Sequence, residues 1–276
     1  MRNVSEFVTE NNGYGSSDVR KNEKGAILLT NYQTGADALN ALNTEATNEK
    51  TTEFASFKSG TTYVVKVLGT ANLISFFSYG IFGKLNSFVA ANPSKKSAKG
   101  YPIDNLTPFD KAWKYHKDLS TDFSDKHGQE AAKYRAKQRF ALGFYDLTSG
   151  QPIIIDVSKP QAKAIMDVIN KYAKKLDKLA FELSKSGSGT STVVSLSPIL
   201  DLDEDITPEQ RANFEKAPAE FDMSLFDGLL FEVDDNTQVQ YLAQVGFDVT
   251  KIGYSNAPSD DAVTIPDEMD PDDLPF

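Results

Sequence analysis

The chain contains no cysteine, and its 276 residues include only two histidines and one tryptophan. Without cysteine there can be no disulfide, zinc finger or thiol nucleophile, and an intracellular setting is favoured. His116 and His127 supply too few ligands for a closed metal site, and we predict that both are solvated. The most apolar stretch, 73–82, is too short to span a bilayer. The sequence therefore predicts a soluble, cytoplasmic protein without a metal or cofactor.

Motifs of catalysis are also missing. The chain has no G-x-S-x-G nucleophile motif, no P-loop and no G-x-G-x-x-G dinucleotide fingerprint. Nothing in it places a serine beside a histidine and a carboxylate in such a motif. We therefore predict that the protein is not an enzyme.

Charge is distributed unevenly along the chain, whose net charge is −10. Residues 1–199 carry 26 Lys and Arg against 19 Asp and Glu, whereas residues 200–276 carry 3 against 20. This asymmetry is typical of a nucleic-acid-binding body with an acidic tail, although an acidic tail can also serve only for solubility.

Two strands are predicted after a polar start. The β-branched stretch Thr61–Leu68 forms the first, and Leu73–Phe82 forms the second and continues toward Val89. Gly80 and Gly83 indicate a bulge or a sharp bend within this second strand.

A strand pair, a helix and a hairpin follow. The pair comprises Phe140–Leu147 and Ile153–Val157, and Ser158 with Gln161 predicts a capping box at the start of the helix. The hairpin joins 179–185 to 191–200. This order predicts an α+β protein built on a five-stranded OB-fold barrel, with its helix between strands three and four.

The remaining segments complete the predicted domain organisation. Residues 1–50 form a loosely ordered arm with a helical candidate at 36–46, and 51–200 form the barrel domain. A basic insertion at about 90–138 lies between strands two and three and contains a helix that begins after Thr107. Two acidic regions follow the barrel. They are a helical segment at 201–252, with short helices expected within 221–231 and 239–247, and a disordered tail at 253–276.

Cations and aromatic residues alternate along the insertion and the strands beside it. From residue 84 to 139 there are 12 positive and 6 negative charges. A groove for single-stranded nucleic acid needs this mixture, because cations contact phosphates and aromatic rings stack on unpaired bases. The candidates for phosphate contacts are Lys66, Lys84, Lys95, Lys96, Lys99, Lys114, Lys117, Arg135, Lys137 and Arg139. The candidates for base stacking are Tyr79, Phe82, Tyr101, Trp113, Tyr115 and Tyr145.

Each strand aromatic has an alternative place in the core. By alternation Phe77, Tyr79 and Ile81 share one face of the second strand, and Phe76 and Phe82 share the other. The pattern leaves open which face points inward. The basic cluster has its own alternative, which is an ordinary solvated surface.

The last residues have the character of a peptide that another protein binds. An acidic run ends in Leu-Pro-Phe, so carboxylates can steer the peptide while Phe276 fills a pocket beside a cation. The candidates for partner binding are Asp270, Asp272, Asp273, Leu274, Pro275 and Phe276.

The stretch Phe140–Val157 with the helix at Ser158, together with the tip Asp272–Phe276, resembles bacteriophage single-stranded DNA-binding proteins of the OB-fold type. The similarity runs from about Phe54 to Leu200, and the tip is similar to the ending of bacterial single-strand-binding proteins. Some phage relatives carry a structural zinc in the insertion. That feature does not transfer to a chain without cysteine, so packing must hold the insertion, with Trp113 as a candidate anchor.

The resemblance implies a protein that coats single-stranded DNA during replication, recombination and repair, in the cytoplasm of an infected bacterium. It would bind with little sequence preference and recruit replication proteins through its tip. The alternative is an acidic interaction protein, or DNA mimic, that occupies basic sites on partners. Binding to duplex DNA or RNA is a third possibility, and the oligomeric state is left open.

Overall fold

The computed structural model describes residues 53–255 and, earlier in the chain, two short antiparallel strands. These are β1 (Val19–Lys21) and β2 (Ile27–Leu29), with Val19 opposite Leu29. The predicted helix at 36–46 and the tip at 270–276 lie outside the described residues. Within the described part, no helix is long and apolar enough to cross a membrane.

The unit that begins at residue 51 is a mixed α+β structure, as the sequence predicts. Its strands are β3 (Thr62–Lys66), β4 (Leu73–Ile81), β5 (Leu85–Ala90), β6 (Lys95–Lys96), β7 (Pro102–Asp104), β8 (Lys137–Asp146), β9 (Gln151–Ser158), β10 (Ala180–Ser186), β11 (Val193–Ile199) and β12 (Glu232–Val233). The α-helices of the described part are α1 (Pro108–Leu119), α2 (Lys126–Tyr134), α3 (Lys159–Lys171), α4 (Pro208–Lys216) and α5 (Asp235–Gln244).

Eight of these strands form one mostly antiparallel sheet, in which β8 is central. One edge of β8 pairs with β9 along its whole length. The other edge pairs with β4, where Leu142 lies opposite Leu73, and then with β3, where Asp146 lies opposite Val65. Beyond them, β10 and β11 extend the sheet from β3, and β5 and the parallel β12 extend it from β4. β6 and β7 form a separate small sheet.

The predicted five-stranded OB-fold barrel is not seen among the described residues, where this sheet is open. In the described part of the chain β9 pairs with β8 alone and makes no ladder with β11. The segment before β3 occupies part of the other edge of β9, where the Ala55 N–H donates to the Ile154 carbonyl at 2.8 Å. Helix α3 packs across β8, β9 and β11.

Local signals in the sequence predicted several boundaries correctly. The β4–β5 register shifts between Tyr79 and Ile81, which places a bulge at Gly80. Gly83 takes a φ of 67° in the following turn, a conformation that favours glycine. At the start of α3, the Ser158 N–H donates to Gln161 Oε1 at 2.9 Å and forms half of the predicted capping box.

Three apolar clusters hold the unit together. The first lies between the sheet and α3 and includes Phe144, Ile165 and Phe181. The second joins β4 and β5 to the insertion helices and α5, with the fully buried Phe109 at its centre. The third covers the opposite face of β4, β8 and β9 and includes Phe221.

The acidic region after residue 200 is built into this fold. Helix α4 and the residues after it enter the third cluster, while α5 enters the second. The predicted helix at 221–231 is a single 3₁₀ turn, Met223–Phe226, which ends because Asp227 takes an extended conformation with a ψ of 132°. Helix α5 begins earlier than predicted, since Asp234 caps it by accepting the Thr237 N–H at 2.7 Å.

Candidate nucleic-acid interface

We call the face of β4, β8 and β9 that points away from α3 the outer sheet face. Residues 214–229 cover it and are called the cover segment. The Phe221 ring lies against the backbone of β8, where a Cβ added at Gly143 would be only 2.3 Å from Phe221 Cζ. Phe214, Phe226 and Leu229 are buried in the same cluster. Exposing these four side chains would cost about 2 kcal/mol each, which approaches the whole stability of a typical domain. The outer sheet face is therefore closed.

Two candidate phosphate ligands beside this face have protein partners. The Lys66 Nζ donates to the Phe214 carbonyl at 2.9 Å and lies 4.1 Å from the centre of the Phe214 ring. Burial lowers the pKa of Lys66. Arg139 forms a two-pronged ion pair with Asp156, with both N···O distances 2.9 Å. Lys66 and Arg139, both predicted phosphate ligands, are thus engaged in contacts within the protein.

Lys96 and Tyr79 belong to a buried polar cluster. The Lys96 Nζ lies 2.7 Å from Asp110 Oδ1 and 3.1 Å from the Tyr79 hydroxyl, and Ser94 donates a further bond to Asp110. Burial lowers the pKa of Lys96, while Asp110 opposes this shift. Burial also raises the pKa of Tyr79, whose ring is 3% exposed. Lys96 cannot contact a phosphate here, and Tyr79 cannot stack on a base.

Two further candidates for stacking have limited access. Tyr145 is buried, and its hydroxyl donates to the Gly150 carbonyl at 2.8 Å, so its assignment to base stacking is corrected. Tyr115 is half-buried, with its ring edge-on to Phe247 at a centroid distance of 6.0 Å. Both rings serve packing.

The insertion presents a different surface, on which three of the predicted side chains come together. Tyr101 precedes β7, Trp113 lies on α1, and Arg135 caps the end of α2. The Tyr101 and Trp113 rings are stacked with centroids 5.7 Å apart, and the Arg135 guanidinium lies 4.6 Å from the Tyr101 ring centre. Tyr101 and Arg135 are exposed. We call this group the aromatic stack, and the sequence predicted all three members.

Exposed cations surround this group along the chain. In the part of the chain that the structure describes, five of the predicted phosphate ligands are exposed and make no ion pair: Lys84, Lys95, Lys99, Lys117 and Arg135. Lys114 pairs with Asp118 at 2.8 Å, but both side chains are more than half exposed, and such a pair is weak. Lys137 is half-buried at the start of β8.

Hydrogen bonds and packing connect the two helices of the insertion. At its α1–α2 turn, Asp125 accepts the N–H groups of Asp122 and Gly128 at 3.0 and 2.6 Å, which holds the pKa of Asp125 well below its usual range. Trp113 packs against the second cluster, as expected of an anchor. The turn therefore holds α1 and α2 in a fixed relation.

The two histidines are not solvated as predicted. His116 Nδ1 and His127 Nδ1 lie 2.9 Å apart and share a hydrogen bond, and His116 stacks on Tyr134 with its ring centroid 5.8 Å away. Burial, followed by the neighbouring His127, lowers the pKa of His116. The pair joins α1 to α2 through this hydrogen bond.

Beside the insertion lies a cleft of about 250 Å³ that the sequence did not predict. The β4–β5 turn supplies Phe82 and Lys84, and α2 supplies Glu130, Lys133 and Tyr134. Phe82 is 44% exposed, and Lys133 pairs with Glu130 at 2.7 Å. The bulge at Gly80 was the one visible signal, because bulges re-aim the side chains that follow them.

Comparison with known proteins leaves the site to be interpreted from its own geometry. No family model, no curated protein and no solved structure matches this chain.

Proposed function

We propose that this protein binds single-stranded DNA with little sequence preference, without catalysing a reaction. It would coat exposed strands during replication, recombination and repair. The observation that carries the proposal is the aromatic stack, which lies on an insertion rich in exposed cations. Unpaired bases stack on tyrosine and tryptophan rings and on guanidinium planes, whereas duplex bases are already stacked on each other.

The strand order supports a relation to the OB-fold. The elements follow one another in the order of the OB-fold. β3 and β4 together correspond to its first strand, β8 and β9 follow, then comes helix α3, and β10 and β11 end the series. The β3–β10 and β8–β9 pairings also agree with it. The lack of pairing between β9 and β11 in the described residues departs from the OB-fold. The cover segment also closes the outer sheet face. We therefore assign DNA binding to the insertion.

Charge supports the same assignment. Five exposed cations that make no ion pair with the described residues would provide phosphate contacts, and each contact contributes about 0.7 to the slope of log K against log salt for a single strand. If all five take part, the slope is about −3.5. The acidic C-terminal tip would recruit replication partners, and the bulk charge of the tail would compete with DNA for the cations.

The deciding experiment is fluorescence polarisation of a labelled oligo-dT of about thirty nucleotides, which exceeds one site size, beside its duplex across a salt series. We expect binding of the single strand with the salt slope above and a much weaker duplex signal. Arg135→Ala should weaken binding, whereas Lys163→Ala, which removes an exposed lysine from α3, should not.

Two results would contradict this function. One is a lack of single-strand binding at low salt, which would favour the acidic interaction protein or DNA mimic. The other is equal affinity for duplex and single strand, since stacking on the insertion requires unpaired bases.

A further inference from the structure

We infer that the cleft between the β4–β5 turn and α2 is a base-reading subsite that favours bases carrying an amino group. This inference rests on the proposed function and adds a preference to it. The occupant is one unstacked base of the bound strand, placed between Phe82 and the Glu130–Lys133 pair.

The walls and rim of the cleft suit a nucleotide. Phe82 and Ile81 line it with apolar surface, and Phe82 exposes 44% of its area, which a base can cover by stacking. Lys84 and Lys133 add two cations, of which Lys84 is exposed and makes no ion pair among the described residues. The apolar walls can bind the base, and the cations can bind the adjacent phosphates.

Glu130 gives the cleft its selectivity. Its side chain is 28% exposed, and its Oε1 lies 2.7 Å from the Lys133 Nζ, which leaves acceptor capacity on the carboxylate. A carboxylate repels phosphate, so it cannot serve the DNA backbone. It accepts hydrogen bonds from exocyclic amino groups, as Asp and Glu do from the cytosine N4 amine. Thymine and uracil present a carbonyl oxygen at that position, which Glu130 would repel.

The end of α2 links the cleft to the aromatic stack along the chain. Lys133 lines the cleft, and Arg135, two residues later, covers Tyr101. Two residues span at most about 7 Å of chain. In this proposal, a strand whose bases stack on Tyr101 or Arg135 passes the mouth of the cleft, where one base turns in.

The test compares oligo-dC with oligo-dU, which differ at C4 in carrying an amine or a carbonyl. Both are labelled and about thirty nucleotides long, and the full chain is titrated against each by polarisation at one salt concentration and mildly alkaline pH. We expect oligo-dC to bind at least about fivefold more tightly. Glu130→Gln should reduce this ratio severalfold, because a neutral amide oxygen is a weaker acceptor and the amide can also donate.

Matched controls separate charge from recognition. Asp118→Asn also neutralises a helical carboxylate paired with a lysine, Lys114, at 2.8 Å. It should raise the affinity for both oligonucleotides equally and leave their ratio unchanged. Phe82→Ala should weaken binding of both roughly fivefold or more. Phe123→Ala, at a 70% exposed ring on the α1–α2 turn, should not.

The outcomes distinguish the two proposals. A wild-type ratio near one, a ratio that Glu130→Gln leaves unchanged, or equal effects of Phe82→Ala and Phe123→Ala would overturn the cleft assignment while single-strand binding stands. Failure to bind either oligonucleotide would overturn the proposed function, and the cleft assignment with it.

Discussion

The outer sheet face and the insertion surface both carry basic and aromatic residues, but they differ in what those residues contact. On the sheet, the Phe221 ring lies on the backbone at Gly143, and Lys66 donates to the Phe214 carbonyl. On the insertion, Arg135 and Tyr101 form a stack that remains exposed. Similar residue types thus hold the fold together in one region and remain available for a ligand in the other.

The comparison separates the first part of the acidic region, which packs into the fold, from its acidic charge, which is proposed to compete with DNA. Its first part, the cover segment, occupies the outer sheet face with aromatic side chains, and its backbone accepts a hydrogen bond from a lysine. This contact is part of the core, since several buried aromatic groups maintain it. If the protein binds DNA as proposed, we expect the acidic tail to compete with DNA on the insertion.

Breaking the buried ion pair of the insertion should give the largest effect. Asp110→Asn leaves the Lys96 ammonium, whose side chain is 7% exposed, without a counter-charge. We expect a loss of about 3–5 kcal/mol in the free energy of unfolding, measured by urea denaturation. The neighbouring exposed Lys95 is the control, and Lys95→Met should change stability by less than about 0.5 kcal/mol. If Asp110→Asn and Lys95→Met lowered the free energy of unfolding equally, the buried Lys96–Asp110 pair would not contribute specifically to stability.

Gly143→Ala tests the contact that closes the outer sheet face. The new Cβ would meet the Phe221 ring, so we expect a loss of about 1–3 kcal/mol in unfolding free energy. In a Phe221→Leu background the same change should cost less, and a double-mutant cycle measures the coupling. Independent, additive losses would contradict the contact. If Phe221→Leu strengthened single-strand binding severalfold, the outer sheet face and not the insertion would be the DNA site.

Tyr101→Ala tests the insertion surface directly. Loss of its ring should weaken single-strand binding by about 1–3 kcal/mol, measured by polarisation at constant salt. Tyr145→Phe is the control, since that buried ring keeps its packing and loses only the hydrogen bond to Gly150. If the two variants bound equally well, the aromatic stack would not be the stacking platform.

The smallest effect is expected from the histidine pair. Because the pKa of His116 is lowered in the folded state, the unfolded chain binds more protons, and stability rises with pH. The contribution of His116 to the free energy of unfolding should be fully present above the ordinary histidine pKa of 6.5 and should be lost as the pH falls below that value. Thermal unfolding between about pH 8 and pH 5 measures this, and His116→Asn should flatten the dependence. If stability depended on pH as steeply in His116→Asn as in the wild type, the dependence would come from carboxylates elsewhere in the protein.

Much of the fold could be predicted from the sequence because its signals are local. Alternation predicted the strands, and Ser158 and Thr107 predicted two helix starts because a capping side chain contacts residues within one turn. Gly80 and Gly83 indicated the bulge and turn for the same reason. The members of the aromatic stack were also recognised, since exposed side chains in a polar insertion meet few competing partners.

The remaining assignments depended on contacts between distant residues. Tyr79 on β4 and Phe82 in the turn after it lie only three residues apart, yet Tyr79 packs against Phe109 of α1 and Phe82 borders the cleft. Gly143 carried a usable signal, since a glycine inside an apolar strand often marks close approach by another group. The sequence could not identify that group as Phe221, which lies 78 positions away.

The sequence by itself determined the α+β class, the order of elements and the division between a basic body and an acidic end. Backbone propensities, capping and hydrophobic periodicity act over a few residues, so they can be recognised without coordinates. Only the tertiary structure decided that the barrel stays open, that the acidic segment covers the outer sheet face, and which cations remain exposed. Those outcomes depend on packing and desolvation among residues far apart in the chain, and no short window of sequence contains both partners.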